Sequence, residues 1–134
     1  MSASLAVEAL LDTHTLAWFA WDFPELPASI KDVLQSPQTT LRVSIASFWE
    51  MGIKIALGKW NLPGDVLALQ TLAEAQGIEI IPISVAAVHL ITQMPLHHKD
   101  PFDRIIAATA LTLGSLLFSS DAIFDAYGVP RQWE

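Results

Sequence analysis

Asp12, Glu50, Asp103 and Asp121 each lie in or beside an apolar run. Asp12 closes the segment at residues 5–11, and Glu50 falls inside an apolar helical pattern. Asp103 opens the pattern at residues 105–113, and Asp121 follows Leu116, Leu117 and Phe118. Carboxylates seldom stand in or against a core unless paired or bound to a cation. Brought together, these four would line a pocket with hard oxygen donors suited to Mg²⁺ or Mn²⁺. Two unit charges ~4 Å apart repel by about 4 kcal/mol at an effective dielectric near 20, so such a cluster calls for cations. Divalent ions there activate water, clamp a phosphate and stabilise a leaving oxygen, which implies phosphodiester hydrolysis.

Positioning the four falls to the elements between them. Residues 5–11 read as a short buried strand, and the β-branched stretch at 39–43 as a second. Residues 78–81 and 115–119 read as the next two, and Val129 starts a last short one. Helices are expected over 13–23, 27–35, 45–57, 63–75, 84–93 and 101–113, from apolar spacing, Ser44 as a cap, Pro27, Pro63 and Pro101 as starts, and Gly58, Gly77 and Gly114 as stops. Residues 95–100 form a loop with His97, His98 and Lys99, and a turn or short helix runs to Tyr127. Apolar strands alternating with helices predict an α/β fold, a parallel sheet covered on both faces. Ligands of such sheets bind outside the carboxyl ends of the strands. Asp12 and Asp121 fall just past strand ends. Glu50 and Asp103 fall in the first or second turn of helices starting on the same rim.

The 134 residues suggest one domain, large enough to bury a core. The chain is 52% hydrophobic and only 16% charged, so part of its surface is expected to be covered by another chain. Its longest apolar candidate, residues 105–118, is interrupted by Thr109, Thr112, Gly114 and Ser115, which argues against a membrane span. The first residues carry Glu8 and no basic residue, unlike a secretory signal. There are no cysteines, which excludes thiolate metal sites and fits a cytoplasmic location. A net charge of −7 gives no long-range pull on nucleic acid and favours a basic protein partner.

Four motifs contain the acids: Leu10-Leu11-Asp12-Thr13-His14, Ser44-Ile45-Ala46-Ser47-Phe48-Trp49-Glu50, His98-Lys99-Asp100-Pro101-Phe102-Asp103-Arg104, and Ser119-Ser120-Asp121 ahead of Tyr127-Gly128-Val129. In order and spacing the chain resembles PIN-domain ribonucleases, specifically VapC-type toxins of toxin–antitoxin modules, from Leu10 to Val129. The resemblance implies a three-layer α/β/α sandwich and a metal-dependent endoribonuclease. It carries the family's acidic site onto Asp12, Glu50, Asp103 and Asp121, as catalytic and metal-binding residues. It further implies a homodimer, an RNA substrate, and an antitoxin whose tail lies along the acidic groove. Ser119 departs from the Thr that many relatives carry, but keeps the hydroxyl.

Each residue also has a plainer role. Asp12 could cap a helix, and Glu50 could pair with Lys54 four residues on; Lys54 could equally reach a substrate phosphate, but the pair is preferred. Asp100, ahead of Pro101, is read as a helix cap, Asp125 as part of a solvated face, and Arg104 as structural. Thr13, Ser44 and Ser119 either support the carboxylates or cap helices. His14, His89, His97 and His98 lack the spacing of a metal set, and His14 is read as a packing or hydrogen-bonding residue rather than a ligand. Trp18, Trp21, Trp49 and Trp60 are read as core or interface rather than as base-stacking platforms.

The function expected is a Mg²⁺- or Mn²⁺-dependent endoribonuclease acting as the toxin of a type II toxin–antitoxin pair. A non-catalytic module whose acidic pocket receives a basic partner is the alternative. A phosphoacceptor domain fits less well, because Glu8 and Asp12 sit at opposite ends of one strand and no lysine follows Lys99.

Overall fold

A computed structural model describes residues 6–96 and 99–134; Leu5 of the first expected strand and the loop residues His97 and His98 lie outside them. Five strands, β1 (Val7–Leu11), β2 (Thr39–Ser44), β3 (Glu79–Ile81), β4 (Leu116–Phe118) and β5 (Arg131–Gln132), form one sheet in the order β3-β2-β1-β4-β5. Every neighbouring pair is parallel. The helices are α1 (Thr13–Ala20), α2 (Ala28–Gln35), α3 (Ile45–Ala56), α4 (Val66–Ala75), α5 (Val85–Ile91) and α6 (Pro101–Leu113), with a 3₁₀ turn at Ala122–Tyr127. The expected α/β class is the one found.

The central strand β1 explains the layering. Ala9, Leu10 and Leu11 are all buried, and successive side chains point to opposite faces. Leu11 joins a core with Leu16, Phe19, Leu34, Met51, Leu69 and Phe118, from α1, α2, α3, α4 and β4. Leu10 joins another with Ile106, Ala110, Leu117 and Phe124, from α6, β4 and the 3₁₀ turn. A sheet buried on both faces has no polar side to present there, hence the apolar runs at residues 9–11 of β1 and 116–118 of β4.

The elements match the sequence expectation except at ends. α1 stops at Ala20 rather than at residue 23. Asp22 turns the chain through a left-handed conformation (φ 55°), and Pro24 biases Phe23 out of the helical region. α4 starts at Val66 rather than at Pro63, because Asp65 accepts the Ala68 N–H at 2.8 Å and so caps it. β5 lies past Val129; Val129 is buried, and the Pro130 carbonyl accepts the Leu117 N–H at 2.9 Å. Arg104 is structural, as expected. Its guanidinium donates to the carbonyls of Pro95 (3.0 Å) and Ile91 (3.2 Å) and lies 3.2 Å from the Tyr127 hydroxyl.

Candidate functional site

The strand order reverses at β1: the chain builds outward to β2 and β3, then returns to β4 on the other side. Crevices for ligands form at such reversals, outside the carboxyl ends of the strands. Leu11 of β1 pairs in register with Phe118 of β4, so the residues that follow, Asp12 and Ser119, come side by side. Asp12 caps α1, its Oδ1 accepting the Thr15 N–H at 2.9 Å, while Oδ2 accepts the Ser119 hydroxyl at 2.6 Å. The Phe118 carbonyl accepts the Asp12 N–H at 3.3 Å and the Thr15 hydroxyl at 2.9 Å, which locks α1 to β4. Asp12 is buried, and that burial pushes its carboxyl above the ordinary value despite the opposing donors Ser119 and Thr15.

Glu50 is buried on α3, and its Oε1 accepts the Thr13 hydroxyl at 2.5 Å. Ser47, fully buried three residues earlier, has its Oγ 3.1 Å from the same Thr13 oxygen. Oε2 accepts Lys54 Nζ at 2.9 Å, so the expected pair does form, but inside the site. Thr13 and Ser119 thus hold carboxylates, whereas Ser44 caps α3 by accepting the Ala46 N–H at 3.0 Å. Asp100 caps α6 as expected, accepting the N–H groups of Phe102 (2.8 Å) and Asp103 (3.2 Å). Asp121 caps the 3₁₀ turn, accepting the Ile123 N–H, and its own N–H donates to Ser119 Oγ, both at 3.0 Å.

Asp12, Glu50, Asp103 and Asp121 line one open cleft of about 460 Å³. Asp100 lines it too, so capping and facing the cleft are not alternatives. Lys54, His14, Trp18, Ser120 and Ala122 complete its wall; His14 and Trp18 pack as expected and face the cleft as well. The His14 ring lies tilted against Trp60 with centroids 4.7 Å apart, and Trp18 against Trp133 at 6.1 Å, contacts that a local pattern does not reveal. Asp125 stays outside, exposed and paired with Arg131 at 3.0 Å; that hydrogen bond holds its carboxyl below the ordinary value. A larger hollow of about 670 Å³ lies by the start of β2, where the ionic groups Lys31 and Asp22 already pair at 2.6 Å.

The sequence profile of the PIN domain matches residues 9–130. The chain belongs to the PIN domain family. Solved structures with the PIN fold of this chain include VapBC2 from Rickettsia felis bound to a promoter DNA fragment, at TM-score 0.69 and 13% identity, covering 94% of this chain and 98% of that one. VapBC-1 from nontypeable Haemophilus influenzae is similar at TM-score 0.67 and 20% identity, covering 94% and 97%. VapBC-5 from Mycobacterium tuberculosis, of the VapBC family of toxin–antitoxin systems, is similar at TM-score 0.57 and 15% identity, covering 94% and 96%. No curated protein matches the chain by sequence.

The donor set of this PIN domain suits a hard divalent cation: the acids around the cleft offer oxygen only, and one of them is buried with its ionised form disfavoured. Among the described residues no three acidic or imidazole groups enclose a common point. Asp12 and Glu50 are instead held by Ser119, Thr15, Thr13 and Lys54. A divalent ion held at Glu50 would meet the like charge of the Lys54 ammonium, and the two would compete for that carboxylate.

Proposed function

We propose that this PIN domain is a Mg²⁺- or Mn²⁺-dependent endoribonuclease, the VapC-type toxin of a type II toxin–antitoxin pair, acting as a single domain in the cytoplasm. The observation that carries the proposal is the cleft at the β1/β4 switch point, with Asp12, Glu50, Asp103 and Asp121 on its walls. PIN domains are generally nucleases. In this role the four acids hold the metal, while Thr13 and Ser119 orient Glu50 and Asp12. Bound there, the ion supplies an activated water and neutralises charge on the phosphate and the leaving oxygen. No side chain beyond the acids is then needed as a separate general base.

Total RNA incubated with the protein and Mn²⁺ is expected to yield discrete cut ends, and EDTA to stop the cleavage. Cleavage that persists in EDTA would remove the metal from the reaction. Intact RNA in Mn²⁺ would remove the nuclease. The antitoxin is a protein whose Arg or Lys side chains enter the same cleft, where charge-assisted hydrogen bonds to carboxylates are strong.

A second chain is proposed on the other side of α3. Ile45, Trp49 and Ile53 recur every four residues along α3 and stay exposed, Trp49 by 63%. Val88 of α5, 49% exposed, continues the patch beside Trp49. Beside them runs an apolar groove of about 170 Å³ lined by Trp49, Val88, Phe102 and Ile105. Covering this patch with a second copy would remove from water what the apolar composition cannot bury within one chain. Trp49→Glu is expected to convert a dimer to monomer in sedimentation velocity, since a buried charge at such an anchor opposes association. An unchanged mass would exclude this face.

A further inference from the structure

Lys54 is the one lysine or arginine among the described residues that line the acidic cleft. Its Nζ stands 2.9 Å from Glu50 Oε2 and 5.6 Å from the centre of the Trp60 ring. Glu50 is buried, whereas the Lys54 side chain is 34% exposed towards solvent. Trp60 packs against the main core, and its ring carries His14, which also lines the cleft. The ammonium therefore has two separate attachments, a carboxylate that is a metal ligand in the proposed nuclease and an aromatic face that is not.

Resting on that nuclease proposal, we infer that Lys54 is an exchangeable cation: a divalent ion displaces it from Glu50, and the displaced ammonium binds the substrate phosphate. Like charges cannot share Glu50 Oε2 without strong repulsion in a buried setting. The flexible stem of lysine and its three rotatable donors let it change partners by rotating single bonds. The Trp60 face keeps the ammonium at the wall of the cleft when Glu50 is given up. In a chain of net charge −7, a local cation at this point is what draws a phosphate towards the carboxylates. Lys54 is then a positioning residue for substrate and a competitor for metal.

The test titrates Mn²⁺ alone into wild type, Lys54→Met, Lys54→Gln and Lys54→Arg by calorimetry. Adenosine 5′-monophosphate is then titrated into the Mn²⁺-loaded proteins. Lys54→Met and Lys54→Gln are expected to bind Mn²⁺ roughly 10-fold more tightly, since a competing charge is gone. They are expected to bind the nucleotide roughly 10-fold more weakly, since a charge-assisted contact to phosphate is gone. Lys54→Arg keeps the charge and is expected to stay near wild type in both. A purely structural lysine would lower the melting temperature of the Met and Gln variants and leave both affinities in place, which overturns the inference. Weaker Mn²⁺ binding in Lys54→Met, or wild type that takes up Mn²⁺ but no nucleotide, overturns it as well. Wild type that takes up no Mn²⁺ overturns the metal-dependent nuclease itself, and this inference with it.

Discussion

Asp12→Asn is expected to reduce RNA cleavage at least about 100-fold, the scale seen when one preorganised electrostatic group is removed, and to raise the melting temperature. Both effects have one source. Asp12 is buried beside Leu11 and Phe118, and leaving water disfavours its ionised form. Its folded carboxyl holds a proton more tightly than in the unfolded chain. The stability linked to it is therefore present below the usual carboxylate range and is lost as pH rises through the folded value. At neutral pH the carboxylate is a cost, relieved when a divalent ion binds. Asparagine keeps the shape, still accepts the Thr15 N–H, and can donate to Ser119 Oγ. In EDTA at neutral pH the variant should gain on the order of 1 kcal/mol, about 4 °C for a chain of this size. The gain should vanish on acidification. Excess Mn²⁺ should stabilise wild type by about 2.7 kcal/mol at 100 times the dissociation constant and so raise its melting point, and not that of the variant. A variant that cuts RNA at the wild-type rate would leave the cleft as a non-catalytic pocket for a basic partner. A variant that melts lower at neutral pH would refute the cost assigned to the buried charge.

How much of this was legible in the sequence depended on the range of the interaction. Asp12, Ser44 and Asp100 cap helices through hydrogen bonds to groups two or three residues away, and each could be read from residue type and position. The sheet was legible because strand segments buried on both faces are apolar runs, as at residues 9–11 of β1 and 116–118 of β4. The rim then followed from strand ends and helix starts. Helix ends were less legible: Pro63 and Asp65 both favour a helix start, and residue type alone does not choose between them. The supports of the site were hidden further. Ser47 faces Thr13, and Thr13 reaches Glu50 across 37 positions of sequence. Ser47 lies three residues before Glu50, so helical spacing alone would have put both on one face. No such signal exists for His14 on Trp60 or Trp18 on Trp133, which meet only once the sheet has formed. For the same reason the sequence leaves Lys54 between a pair with Glu50 and a phosphate contact, and its seat against Trp60 at the cleft wall is not visible there.

Phe118→Ala should be the most destabilising single change among the residues that hold the cleft, because β4 is three residues long and Phe118 is its last. The ring is fully buried among the core side chains from β1, α1 and α3. Truncation removes its burial and leaves a cavity, together costing about 3–5 kcal/mol. That is a large part of the roughly 5–15 kcal/mol that holds a domain together. A fall in melting temperature of roughly 10–20 °C follows from the size of the chain. The backbone of the same residue accepts the Asp12 N–H and the Thr15 hydroxyl, and Ser119 follows it directly. Loosening β4 therefore also loosens the register that brings Ser119 Oγ within 2.6 Å of Asp12. Leu69→Ala is the control, since Leu69 is just as buried but lies on α4, which carries none of the four acids. Both variants should melt lower by comparable amounts. Well below both melting points, only Phe118→Ala should lose Mn²⁺ affinity, by roughly 10- to 100-fold, the range for disturbed supports of metal ligands. Equal Mn²⁺ affinity in the two would mean that the carboxylates are positioned independently of β4.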